Sequence, residues 1–169
     1  MMNIILIGFM GSGKSAVGQK LAKELTLDYL DTDQLIEKTE KMSINEIFTR
    51  KGESSFRDLE TNVIKTLRDY DNFVISTGGG MVLRPENVKM LKEIGLLVLL
   101  WAEPEVIYQR VKSETRRPLL KVADPLAEIN KILGQRGPIY SQVADHKVDT
   151  SKLSVEAIVA EVKEWLESK

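Results

Sequence analysis

The chain has 169 residues, 43% hydrophobic and 29% charged, with a formal net charge of -1. That length and balance fit one globular domain with a sizeable core and exclude a disordered or low-complexity chain. Near-neutral charge offers no overall field to recruit nucleic acid or an anionic membrane, and the absence of cysteine excludes disulfides, thiolate metal sites and cysteine nucleophiles.

The N-terminus enters a strand without a basic region or a long apolar stretch, so no signal peptide is expected. The longest apolar run, Leu96 to Ala102, is strand-sized and too short to cross a bilayer. A cytoplasmic protein is the simplest expectation.

Ile4-Ile5-Leu6-Ile7 predicts the first strand. Behind it stands Gly8-Phe9-Met10-Gly11-Ser12-Gly13-Lys14-Ser15, the phosphate-binding pattern G-x-x-x-x-G-K-[ST]. An amphipathic segment follows, with Val17, Leu21 and Leu25 on one helical stripe. Strand, glycine loop and helix together are the context in which this pattern cradles phosphate, and they disfavour a glycine-rich turn with an incidental lysine. The glycines let successive backbone N–H groups turn inward, and the helix N-terminus adds its positive end. Lys14 would reach the β- and γ-phosphates and the Ser15 hydroxyl would ligate Mg²⁺.

Asp28–Asp31 predicts a short second strand, followed by helical segments around Asp33–Glu40 and Ser43–Arg50. Ser43 is placed to cap the latter, with Glu46 completing a capping box. Phe56, Leu59, Val63 and Leu67 mark one face of a longer helix. Phe73–Ser76 reads as a buried strand running to Gly78-Gly79-Gly80. Pro85 opens a helix that carries Val88, Leu91 and Ile94 and stops at Gly95. Leu96–Trp101 is the most apolar strand, and Pro104 starts the next helix. Thr115–Asp124 is polar, basic and irregular, either a surface loop or an active-site lid. A helical segment, the strand His146–Asp149 and a helix over Val155–Leu166 close the chain.

Five apolar strands alternating with helices predict an α/β fold: a parallel five-stranded sheet in a three-layer α/β/α arrangement. Ligands of such sheets bind beyond the carboxyl ends of the strands. That rule gathers Gly8–Ser15, Asp31–Asp33 and Gly78–Gly80 at one edge.

Asp31 and Asp33 lie two apart, so their carboxylates share a side while the chain stays extended. Phosphoryl transfer needs a carboxylate near Mg²⁺ and a group to orient the acceptor hydroxyl and take its proton. Asp31 would serve the metal and Asp33 the acceptor; apart from the phosphate loop, the pair would read as a solvated turn. Strand Phe73–Ile75 ends in Ser76 and Thr77, where phosphate-loop proteins usually place a second metal-binding acid. Three glycines follow, allowing backbone N–H groups close to a ligand; a flexible loop without contacts is the alternative. Arg57, Arg116, Arg117 and Arg136 are candidates for anion recognition, since arginine's planar fork matches carboxylate and phosphate. Taken singly, each reads as a surface residue. His146 is expected to face solvent, and Trp101 and Trp165 to be core or partly buried aromatics.

Together these motifs resemble the shikimate kinase family over most of the chain. The matching residues are Gly8–Ser15, Asp31-Thr32-Asp33, Phe56-Arg57 with Glu60, Gly78-Gly79-Gly80, Arg117-Pro118-Leu119-Leu120, and Arg136 with Tyr140. The resemblance implies a phosphate-loop fold like that of nucleoside monophosphate kinases, spanning residues 1–169 as a single domain. Substrate-binding helices would occupy about 33–60 and a lid about 112–124. It implies transfer of the ATP γ-phosphoryl group to the 3-hydroxyl of shikimate, a step towards chorismate and the aromatic amino acids. Asp33 would bind the shikimate hydroxyls and act as base, with Lys14 and Arg117 as further catalytic residues. Arg57 and Arg136 would hold the carboxylate, with backbone from Gly79 and Gly80. ATP would contact Gly11, Ser12, Gly13, Lys14, Ser15, Arg110 and Arg117, with Arg117 at the phosphates and Arg110 against adenine. Mg²⁺ would be the cofactor, on Ser15 and, through water, Asp31. The expected partners are shikimate and ATP, with no nucleic acid or membrane, and a monomer is expected. Ala16 departs from the threonine many relatives carry there.

Gluconate kinases and nucleoside monophosphate kinases share this architecture, but the Phe-Arg, triple-glycine and Arg-Pro-Leu-Leu set favours shikimate. A nucleotide-dependent switch or a silent binding module is the alternative outside enzymes. The chain lacks the Asn-Lys-x-Asp guanine-reading motif and retains both Asp33 and Ser15, which weighs against each.

Overall fold

In the computed structural model, which describes residues 2–114 and 121–169, β1 (Asn3–Ile7) is the middle strand of the sheet. It is joined by β2 (Asp28–Asp31), β3 (Phe73–Ser76), β4 (Gly95–Trp101) and β5 (His146–Asp149) in the order β2-β3-β1-β4-β5. Every pairing is parallel, with Ile5 between Ile75 and Leu97. The expected five-stranded α/β/α class is the one adopted.

Successive residues of a strand point to opposite faces, and in a sheet covered on both sides both sets must be apolar. Ile5 and Ile7 accordingly join Ile75, Leu97 and Leu99 in one core, whereas Ile4 and Leu6 join Val74, Val98, Leu100 and Val148 in the other. Helices α1 (Lys14–Leu25) and α7 (Val155–Glu167) cover the second core through Val17, Leu21, Ile158 and Val162. The first core lies under α3 (Ile44–Thr66), α4 (Pro85–Ile94), α5 (Pro104–Val111) and α6 (Pro125–Val143). Helix α2 (Thr32–Glu40) packs beside α3 and contributes Ile36. Each fully buried aliphatic side chain contributes about 1.5–3 kcal/mol relative to exposure.

Buried Asn3 ties three segments at the foot of the sheet. Its Nδ2 donates to the carbonyls of Tyr70 and Ile94, and its Oδ1 accepts from the Phe73 N–H.

The two helical segments expected from Ser43 and around Phe56 both form and run together across a kink as α3. Ser43 caps the first with the expected box to Glu46. Between them Gly52 stands at φ 83° and ψ 168°, outside helical geometry. That backbone region suits glycine, so the chain turns there from one helical segment into the next. Leu67 then leaves the helix for a single 3-10 turn.

His146 also departs from expectation. Its ring stacks on Trp165, with centroids 4.7 Å apart and planes 8° apart, and its Nε2 is buried. Helix α7 folds back over the end of the sheet and brings the indole there, a contact that local charge could not foretell. Both tryptophans are partly buried, as read. Among the described residues, no helix is long and apolar enough to cross a membrane.

Candidate active site

The ends of β1, β2 and β3 deliver three loops to one sheet edge, where two cavities open side by side. The first, about 230 Å³, is lined by Gly11, Gly13, Lys14, Ser15, Asp31, Asp33 and the start of the glycine run. The second, about 360 Å³, is lined by Asp33, Arg57, Glu60, Gly78, Gly79, Gly80 and Arg136, with Met10, Phe48 and Phe56 as apolar wall. Asp33 lines both.

Phosphate-loop geometry builds the first cavity. Gly11 and Gly13 hold φ of 72° and 98°, turning the backbone round the loop. Helix α1 starts at Lys14 without a side-chain cap, so its first N–H groups remain to serve an anion. The Lys14 ammonium folds over the loop and donates to the carbonyls of Gly8 and Phe9 at 2.8 and 2.9 Å. Ser12 is buried beneath the loop, its N–H donating to the Phe9 carbonyl. At the position where an acid was missing, Ser76 Oγ donates to the Lys14 carbonyl and ties β3 to α1.

Asp31 and Asp33 do not share an extended stretch, because α2 begins at Thr32. Asp31 is its N-cap: one carboxylate oxygen accepts from the N–H groups of Asp33 and Gln34, at 2.9 and 3.3 Å. The other accepts from Ser15 Oγ at 3.4 Å. Capping therefore fixes the oxygen that faces Ser15, while Asp33 turns with the first helical turn towards the second cavity. Among the described residues, no cluster of three or more His, Cys, Asp or Glu side chains could hold a metal by itself. Ser15 and Asp31 instead form an oxygen pair beside the phosphate loop, which suits a hard cation shared with a polyphosphate.

The glycine run closes the second cavity from below. The Gly78 N–H donates to Thr32 Oγ1, and the Gly79 carbonyl accepts from Tyr140 OH at 2.5 Å. Burial pushes the Tyr140 phenol up, more than the neighbouring Arg136 pulls it back, so it stays an O–H donor. Gly78 and Gly80 leave no room for a side chain unless these neighbours move: a Cβ on Gly78 would meet Asp33 Oδ1 at 2.8 Å, and one on Gly80 would fall inside the Arg57 guanidinium.

Arg57 lies over the Phe56 ring and Arg136 over the Phe9 ring. Nη1 of Arg57 donates to Glu60 Oε2 at 2.7 Å and Nη2 to Glu53 Oε1 at 3.2 Å, leaving further N–H donors at the cavity. Glu60 is fully buried. Burial raises its pKa, Arg57 pulls it down, and nearby Asp33 adds to the rise; the net direction is up. The fold then holds more protons than the unfolded chain above the ordinary value of 4.5. Glu60's contribution to stability is complete below that value and is lost as pH rises through its folded pKa. Chemical denaturation from pH 4.5 upward should show this decline, and Glu60→Gln should flatten it; an identical slope in the variant would reject the linkage.

The structure thus brings together Gly11, Gly13, Lys14, Ser15 and Asp31 in one cavity and Arg57, Gly79, Gly80 and Arg136 in the next, with Asp33 between them. Arg110 stands beside the phosphate loop, donating to the Gly11 carbonyl at 3.0 Å and to Thr150. Arg116 and Arg117, with Pro118, Leu119 and Leu120, lie outside the described residues. Sequence reasoning gave Glu60 no role and missed Thr150. The three-residue step from Arg57 to Glu60 on a helix was a usable signal; nothing local marked Thr150.

Fold and site define a phosphate-loop kinase acting on a small anionic acceptor. The shikimate kinase family model matches residues 10–167, and the chain belongs to the shikimate kinase family. The shikimate kinase of Pelotomaculum thermopropionicum is 48% identical over 166 residues, covering 98% of this chain and 96% of that protein. A solved shikimate kinase from Acinetobacter baumannii, in complex with shikimate, superposes with a TM-score of 0.95 at 34% identity, covering 99% of this chain and 94% of that one. The Aquifex aeolicus enzyme gives a TM-score of 0.86 at 43% identity, covering 98% and 96%.

Proposed function

We propose that the two cavities are the ATP and shikimate subsites of one phosphoryl-transfer centre. The chain is a shikimate kinase: it transfers the γ-phosphoryl group of ATP to the shikimate 3-hydroxyl, yielding shikimate 3-phosphate and ADP on the route to chorismate. The observation that carries the site assignment is Asp33, which lines both cavities where acceptor and donor must meet.

In this reading Arg57 and Arg136 pair with the shikimate carboxylate, and the Gly79 and Gly80 backbone completes the pocket floor. Asp33 accepts the 3-hydroxyl proton as that oxygen forms its bond to the γ-phosphorus and the bridge to ADP breaks. Lys14 leaves the Gly8 and Phe9 carbonyls for the β- and γ-phosphates, a stronger, charge-assisted pairing. Backbone N–H groups of Gly11–Ser15 hold the phosphates, and the flat face of Arg110 is available to adenine. Arg117 reaches the transferring group from the segment about 112–124, which we assign as the lid; helices over about 33–60 form the substrate-binding part of a single domain, 1–169. Ser15 directly, and Asp31 through water, would hold Mg²⁺, which supplies charge neutralisation at the β- and γ-phosphates. A monomer is the proposed working unit, since both cavities are lined within one chain. A net charge of -1 supports small-molecule partners over nucleic acid or membrane, and use of ATP supports a cytoplasmic location.

The test is acceptor-dependent ADP release with Mg²⁺-ATP, comparing shikimate, gluconate and nucleoside monophosphates. Release should require shikimate; turnover with a different acceptor would overturn the pocket assignment while leaving the phosphate loop in place.

A further inference from the structure

Thr150 is fully buried at the end of β5, far in sequence from the phosphate loop, yet its hydroxyl touches that loop. Its Oγ1 accepts from Arg110 Nη1 at 3.1 Å and donates to the Ser12 carbonyl at 3.2 Å. Its own carbonyl accepts from Arg110 Nη2 at 2.9 Å, and its N–H donates to the Trp101 carbonyl at 2.7 Å. Arg110 Nη1 also reaches the Gly11 carbonyl. One threonine thus joins β4, β5, α5 and the phosphate loop.

We propose that Thr150 is a positioning residue for the nucleotide: it aims a phosphate-loop N–H and sets the plane of Arg110. In a trans peptide the C=O and the following N–H point in opposite directions. Pulling the Ser12 carbonyl towards Thr150 turns the Gly13 N–H the other way, towards the cavity Gly13 lines with Lys14 and Ser15. Without the hydroxyl that buried carbonyl loses its donor, and the peptide gains freedom to rotate. The same hydroxyl and its carbonyl hold two guanidinium nitrogens in the plane of their hydrogen bonds. Arg110 is itself exposed, so its flat face stays open for a planar ring. The two ends of a nucleotide would therefore be registered through a side chain that touches neither. This rests on the reading of Gly8–Ser15 as the nucleotide site, and it assigns no contact with shikimate.

Thr150→Val keeps the shape and removes the hydroxyl. ADP affinity should fall about tenfold by direct calorimetric titration, and the KM for ATP should rise by a similar factor. The KM for shikimate should stay within about twofold. Thr150→Ser should restore ADP binding to within about twofold of wild type. Unchanged ADP affinity in a folded Thr150→Val overturns the proposal, as does an equal rise in both KM values or failure of the serine variant to rescue. Should Thr150→Val fail to fold, Arg110→Gln probes the same brace from its exposed side. It should weaken ADP binding while sparing the shikimate KM, and unchanged ADP affinity there would equally count against the brace. Because ADP binding is measured without an acceptor, wild type that binds ADP but does not phosphorylate shikimate would refute the acceptor reading and leave this test intact.

Discussion

Asp33→Asn should bind ADP and shikimate but lose turnover by about 10²–10⁴-fold, the usual cost of removing a general base. The substitution is nearly isosteric, and Asp33's own N–H still serves Asp31, so the cap of α2 survives. The loss should appear in kcat, with both KM values little changed. An alternative role for Asp33, purely binding the hydroxyls, would move the shikimate KM instead. Near wild-type kcat would remove Asp33 from the chemistry.

Arg57→Ala should raise the shikimate KM by about 10–100-fold, the worth of a charged hydrogen bond of roughly 1.5–3 kcal/mol. Its effect is not confined to the ligand. Glu60 has zero exposure and depends on Arg57 for its partner, so the truncation leaves a carboxylate buried without its counter-charge. Breaking a buried pair from one side costs about 3–5 kcal/mol, and Tm should fall accordingly. Combining Arg57→Ala with Glu60→Gln separates the two effects: neutralising residue 60 should recover much of the Tm while the shikimate KM stays high. If the double variant recovers shikimate KM along with Tm, Arg57 serves the fold and not the carboxylate. The ATP KM should change little in either variant, because Arg57 lines only the second cavity.

Much of this architecture is legible in short stretches of the sequence. Strand β3 (Phe73–Ser76) falls where its residues place it, because a short apolar run bounded by breakers has few other places to go, and the short strand β2 (Asp28–Asp31) falls where it is expected as well. Pro85 at the first turn of α4 and the Ser43–Glu46 box are local chemistry, complete within a few residues. The phosphate loop is legible for the same reason: its glycines, Lys14 and Ser15 stand at a short fixed spacing between a strand and a helix. The Asp31–Asp33 pair was found for an incomplete reason. Extended spacing suggested a shared side, whereas the carboxylates are separated by the helix start that Asp31 itself caps. Gly52 is the kink between the two expected helical segments, and across it Ile44, Asn45 and Phe48 from one and Phe56, Arg57 and Glu60 from the other wall the same cavity.

The sequence by itself determined the class of sheet, the phosphate loop, the carboxylates beside it and the arginines available for an anion. Each of these rests on residue type and short spacing, where local geometry is nearly the whole constraint. Only the tertiary structure decided which arginine is shared with a buried glutamate, which tyrosine holds the Gly79 carbonyl, and that Thr150 braces a loop 138 residues earlier. It also turned His146 inward against Trp165. Those outcomes depend on satisfying buried polar groups across the sheet once the strands have taken their order. Which donor meets which acceptor at such distances is settled by packing, and packing is not written in any one stretch of the chain.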